Sequence, residues 1–261
     1  MSLRYEVDDG VAVVTLDRPE VLNAFNDELG VQAVEAIERA SADESVRCIV
    51  ISGAGRAFSA GEDLAPLAAG YERGEVPPLG DTLVDRYNPL IRAITSAPKP
   101  VIAAINGVAA GAGASVALAC DFRLASQKAK LMLAFIKVGL VPDSGAVWFL
   151  TRMVGSSRAL HLSMTGDPVS ADQALELGIF HEVYDPADFE TGWRSFASAL
   201  AAGPTYAYAL TKRLVRAASE GSLEEQLELE IEAQSSAGAS EDHLEGVQAF
   251  FAKRNPEFKG S

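Results

Sequence analysis

The stretch "KPVIAAINGVAAGAGASVALACDFRLAS" (99–126) restricts the possible folds more than any other part of the chain. It opens on a β-branched apolar run, passes through a Gly/Ala turn, continues as an apolar helix and closes on a second strand-like run. Strands that read as unbroken apolar runs are buried on both faces, which places helices on either side of a largely parallel sheet. The expected class is therefore α/β.

The rest of the chain fits that frame. "VAVVTLDRP" (11–19) is a short strand closed by Pro, and "DELGVQAVEAIERASAD" (27–43) follows with helical apolar spacing. "VRCIVISGAG" (46–55) is a strand running into glycines. "AAGYERGEVPPLGDTLVDRYN" (68–88) mixes Gly, Pro and charge, and its first half is expected to be a mobile loop beside a site. From "SADQALELGIFHEVYD" (170–185) onward the pattern is helical almost without break, and "SAGASEDHLEG" (236–246) reads as a helix connection.

Composition excludes several classes of function. Acidic residues outnumber basic ones by 36 to 22 and no Lys/Arg stripe is present, so nucleic acid is not an expected partner. "MSLRYEVDDG" lacks the charged start and apolar run of a signal peptide, and no apolar stretch reaches spanning length, so no membrane role and a cytoplasmic location are expected. Cys48 and Cys120 lie in apolar runs and read as buried thiols; the three histidines lack metal-ligand spacing, so no metal site is expected.

Three stretches could carry chemistry. "AFSAGEDL" (57–64) has small residues that let a backbone N–H approach a ligand, although the same residues suit a tight turn, with Asp63 as a helix cap. The Gly/Ala run 107–114 leads into an apolar helix whose first N–H groups lack partners and would suit a developing negative oxygen; it would equally suit tight helix packing. In "VGLVPDSGAVWFL" (138–150), Asp143 sits at a turn and is a fitting N-cap for the following helix. Flanked by apolar runs, its carboxylate would be poorly solvated and its pKa raised toward a value useful for proton transfer.

Several motifs in register over nearly the whole chain resemble the enoyl-CoA hydratase/isomerase (crotonase) superfamily: "TLDRPEVLNAF" (15–25), "GAGRAFSAGEDL" (53–64), "PKPVIAAINGVAAGAGASVALACD" (98–121), "GLVPDSGAVWFLTRMVG" (139–155) and "FFAKRNPEFKG" (250–260). The resemblance implies a crotonase-like ββα spiral core over 1–200 and a helical C-terminal trimerisation region over 201–261, assembled as a homotrimer or hexamer. It implies an acyl-CoA thioester as substrate, no separate cofactor, and an oxyanion hole whose matching donors are the N–H groups of Ala60 and Ala112. It also implies CoA contacts from the backbone around Ala24 and from Lys253, with Asp63, Leu64, Tyr87 and Phe135 around the bound substrate.

Hydratases of this superfamily use two glutamates, and the matching positions here hold Ser115 and Phe135. Phe135 can neither activate water nor exchange a proton. Asp143, at a turn that resembles the branch isomerising ring-epoxide phenylacetyl-CoA and shifting enoyl-CoA double bonds, remains as a single base. The expectation is an isomerase using Asp143, with a hydratase or a non-catalytic acyl-CoA binder as alternatives. Ala146, where many members have a second glycine, is expected to tighten the pocket floor.

Overall fold

A computed structural model of the chain describes residues 2–219 and 221–261, that of Ala69 without its side chain. Two sheets organise it. The large one has the order β1 (Leu3–Asp8), β2 (Val11–Leu16), β3 (Cys48–Gly53), β5 (Val101–Ile105), β7 (Phe122–Ser126), β10 (Glu182–Tyr184). The small one has the order β4 (Ala57–Ser59), β6 (Val108–Ala110), β8 (Lys130–Met132), β9 (Val169–Ser170). All pairings within them are parallel except those of β1 with β2 and β8 with β9.

The chain alternates between the sheets: β3 then β4, β5 then β6, β7 then β8. Each such pair is followed by helical chain, so the expected ββα spiral is present. After the first pair come the short α2 (Ala68–Glu72) and α3 (Leu79–Thr82), a π-type turn (Leu83–Tyr87) and α4 (Asn88–Ser96). After the second comes α5 (Ala112–Ala119), and after the third α6 (Ala146–Thr165). α1 (Asp27–Ala42) precedes the spiral, capped by the Asn26 side chain accepting from Leu29 N–H at 2.9 Å.

The apolar run that constrained the fold becomes the centre of the core. Every residue of β5 and α5 is buried. A helix apolar all round can only be interior, and α5 lies in the main core cluster with β3, β5 and the start of α6. Its small residues do serve packing: a Cβ on Gly113 would fall 2.6 Å from the Ser59 carbonyl oxygen.

Several local expectations need correction. β1 pairs antiparallel with β2 through the tight turn at Asp9 and Gly10, a hairpin not anticipated from the N-terminus. The Gly-rich turn contains β6, because three small residues suffice to pair with β4 and β8. The first half of 68–88, expected as a loop, opens with the short helix Ala68–Glu72 and is non-helical only over 73–78. Within 170–185 only α7 (Ala171–Glu176) is helical, and Glu182–Tyr184 pairs with β7 as an edge strand.

α8 (Phe189–Ala201) covers the outer face of the large sheet through Phe189, Trp193 and Ala197. Then follow α9 (Thr205–Ala218), α10 (Leu223–Gly238) and α11 (Glu241–Ala252). The connection expected over 236–246 shrinks to residues 239–240, where Ser240 caps α11. Glu220, within the stretch expected to be helical beyond residue 170, lies outside the described residues. Among the described residues no helix is long and apolar enough to cross a membrane.

Candidate active site

Past β4, Glu62 pairs with Phe25 in an isolated parallel bridge. Phe25 N–H donates to the Gly61 carbonyl at 2.6 Å and Asp63 N–H donates to the Phe25 carbonyl at 2.9 Å. The Gly61 carbonyl and the Glu62 N–H belong to one trans peptide and point opposite ways, so the N–H of Glu62 turns away from Phe25. Among the described residues nothing accepts from it.

The expected donor at Ala60 is not available: its N–H donates to the Leu22 carbonyl at 2.9 Å. With the N–H groups of Ala60, Gly61 and Asp63 donating to the Leu22 carbonyl, Ser59 Oγ and the Phe25 carbonyl, that of Glu62 is left without a partner among the described residues. Ala112 is the first residue of α5 and its N–H has no partner within the helix, which leaves it free for the donor role the resemblance implies. Gly61, at φ +94°, lies between the two donors; a Cβ there would sit 2.8 Å from the Ala110 carbonyl oxygen and 3.1 Å from the Ala112 nitrogen.

The loop after β8 brings the candidate base. A short 3-10 turn (Ala134–Val138) leads to Asp143, then Ser144 and Gly145 take left-handed φ values of 52° and 75° before α6 begins. Gly145 occupies the cap position and no side chain caps the helix, so Asp143 is not the N-cap. Its main-chain carbonyl accepts from Ala146 N–H at 3.0 Å, and its carboxylate accepts from Ser144 Oγ at 2.8 Å. Burial raises the Asp143 pKa and the nearby charge of Glu62 raises it further, against the lowering effect of the Ser144 hydrogen bond.

These groups meet in a cavity of about 340 Å³. Ala60, Glu62, Gly111 and Ala112 form one side, and Leu79, Thr82, Leu83 and Tyr87 a second. Phe135, Val138, Leu140, Val141 and Asp143 complete it, with Leu64 at the edge. Phe135 is therefore a wall, as expected. Tyr87 is buried and points its hydroxyl at Glu62 Oε2, which raises the phenol pKa through burial and that charge.

Other expected site residues stand off the cavity. Asp63 is ion-paired with Arg18 at 2.9 Å and also accepts from Ala65 N–H, so it combines an anchor with a local turn bond. The Ala24 carbonyl accepts from Arg18 Nη1 at 2.6 Å. Lys253 lies exposed at the end of α11, away from the cavity-lining residues. Ala146 is fully buried in the core and does not line the cavity, so it does not tighten the floor directly.

In this spiral of ββα units, two residues whose main-chain N–H groups have no partner among the described residues, Glu62 and Ala112, and one partly buried acid, Asp143, line the same largely apolar cavity. The chain belongs to the enoyl-CoA hydratase/isomerase family, whose pattern matches residues 6–261. It is 44% identical to the 1,2-epoxyphenylacetyl-CoA isomerase of Escherichia coli (strain K12) over 97% of both chains. It is 38% identical to the trans-2-decenoyl-[acyl-carrier-protein] isomerase of Streptococcus mutans, over 99% of this chain and 98% of the relative. An enoyl-CoA hydratase from Polaromonas sp. JS666 superposes with a TM-score of 0.92 at 34% identity, over 98% of this chain and 99% of that structure.

Proposed function

We propose that the protein is an acyl-CoA isomerase in which Asp143 moves a proton along the acyl chain of a bound thioester. The carboxylate takes a proton from one carbon, the electron pair shifts onto the thioester oxygen as an enolate, and the proton returns two carbons away. The N–H groups of Glu62 and Ala112 receive the oxyanion, each such donor being worth about 3 kcal/mol in other enzymes. No cofactor is required beyond the CoA carried by the substrate.

One observation carries this reading. Of the two carboxylates lining the cavity, Glu62 is held by Arg86 at 2.6 Å, whereas Asp143 has no ion-pair partner among the described residues. Water addition needs one group to activate water and a second to exchange a proton with carbon. Ser115 and Phe135 stand where the two hydratase glutamates would be, and neither supplies that second group. The names of two relatives, a 1,2-epoxyphenylacetyl-CoA isomerase and a trans-2-decenoyl-[acyl-carrier-protein] isomerase, support an acyl group that is aromatic-derived or aliphatic.

The C-terminal helices expose Leu244, Phe250 and Phe251, which supports assembly as a homotrimer or a dimer of trimers, with Lys253 reaching a neighbour's CoA. The test of function is to supply a 3-enoyl-CoA and follow conjugated 2-enoyl thioester. The expected result is isomerisation well ahead of crotonyl-CoA hydration; hydration at a comparable rate would favour a hydratase.

A further inference from the structure

Glu62 presents a difficulty that the isomerase reading makes acute. Its main chain supplies one donor for the oxyanion, while its own carboxylate lines the same cavity as Asp143. An unbalanced negative charge there opposes both the enolate and the ionised base. A site that must stabilise negative charge gains nothing from that carboxylate unless something cancels it.

Arg86 meets it directly. Its Nη1 donates to both carboxylate oxygens of Glu62, at 2.8 and 2.6 Å, and its Nη2 reaches Asp27. The Arg86 side chain is 10% exposed and that of Glu62 26%, so solvent screens this pair weakly, whereas Asp27 is 94% exposed. Burial works against the charge of Arg86, but its hydrogen bonds to Glu62 and Asp27 outweigh that and hold its pKa above the ordinary value.

The surroundings are shaped to admit this guanidinium. Arg86 passes over α1 at Gly30, where a Cβ would fall 2.3 Å from the arginine Cγ. Its Nε is buried with no hydrogen-bond partner among the described residues. Burying an arginine with one donor unsatisfied is unfavourable for folding, so its placement is better explained by what the other two nitrogens do. We infer that Arg86 is a positioning residue which neutralises Glu62, so that the residue supplying an oxyanion N–H does not repel the negative charge formed beside it. The inference rests on the enolate chemistry proposed above.

The titratable group facing Asp143 across the cavity is Glu62, with Arg86 and Tyr87 bound to it from the far side. Ser144 faces Asp143 from its own turn, and Arg216 of α9, beside Gly145, is directed to Asp121. Lys137 of the preceding turn is paired with Asp167 at the surface. Among the described residues, Glu62, neutralised by Arg86, is therefore the charged group in place to tune the base.

The experiment measures α-proton exchange of a saturated acyl-CoA in deuterated water against pH, for the full chain and for Arg86→Met, Glu62→Gln, the double variant and Asp143→Asn. Arg86→Met is expected to lose about tenfold or more in kcat, the effect of roughly one unit of unbalanced interaction, and to move the acidic limb to higher pH. Glu62→Gln is expected to move that limb to lower pH. The double variant is expected to recover most of the kcat lost by Arg86→Met, because removing the carboxylate removes the need for the cation. A double variant as slow as Arg86→Met overturns the inference in favour of a packing role. Should Arg86→Met not fold, an unshifted limb in Glu62→Gln overturns it alone. Exchange that survives Asp143→Asn contradicts the proposed function instead, which separates the two failures.

Discussion

Ser115 Oγ donates a hydrogen bond to the main-chain carbonyl of Asp143 at 3.1 Å. Ser115 is fully buried one turn after Ala112 on α5. One helix therefore carries the proposed oxyanion donor at its first residue and, three residues later, a hydroxyl that holds the main chain of the proposed base. On the proposed reading, that hydroxyl positions the base where a hydratase would use a carboxylate. Ser115→Ala is expected to lower kcat by about tenfold with KM little changed, since a small misplacement of a base is costly. Ser115→Thr, which keeps the hydroxyl, should restore most of the loss in steady-state assays.

Gly61 offers a second test. At φ +94°, with Ala112 N only 3.1 Å from a would-be Cβ, alanine can enter only by pushing the two donors apart. Gly61→Ala is expected to reduce kcat by about 10²-fold, the size of losing one oxyanion donor. Measured alongside, acyl-CoA binding should fall much less than kcat. An equal loss in both would point to general disruption.

The raised pKa of Asp143 makes a statement about stability. Folding disfavours its ionised form, so the cost appears as pH rises past the unfolded carboxylate value of about 3.9 and is fully present above the folded value. Asp143→Asn removes the ionisation. It should therefore raise the Tm at pH 7, and the gain should vanish as the pH falls toward the unfolded value. Calorimetry at several pH values would show this; a Tm lowered at pH 7 would contradict it.

The C-terminal helices are fastened to the core at Asp121. Lys212 of α9 pairs with it at 2.7 Å, Arg216 lies at 3.5 Å, and Val101 N–H donates to the same carboxylate at 2.9 Å. Burial lowers the Lys212 pKa while Asp121 works to raise it. Removing the acid strands a mostly buried ammonium, which costs about 3–5 kcal/mol. Asp121→Ala should therefore show a large drop in denaturation midpoint, and Asp121→Asn a smaller one.

Much of the fold was legible because its strongest signals are local. The apolar run 99–126 and the spacing of 27–43 name their own elements. The N-terminal hairpin, β6 and β10 were not, since short strands declare themselves only through partners elsewhere in the chain. The same reason explains the site. Ala112 and Asp143 were singled out through the family resemblance, at a helix start and a turn that alone suited packing or capping as well, whereas preferring Glu62 to Ala60 depends on pairing with Phe25 and on Leu22 taking the Ala60 N–H. Arg86 was invisible because its partners Glu62 and Asp27 come from separate segments.

The most direct test of the central claim is turnover of a 3-enoyl-CoA by Asp143→Asn, with the variant's fold confirmed and acyl-CoA binding measured. If Asp143 carries the proton, binding persists while conversion to the conjugated 2-enoyl thioester falls by at least about 10²-fold, the contribution typical of a positioned general base. Conversion at the rate of the unaltered protein would show that another group moves the proton.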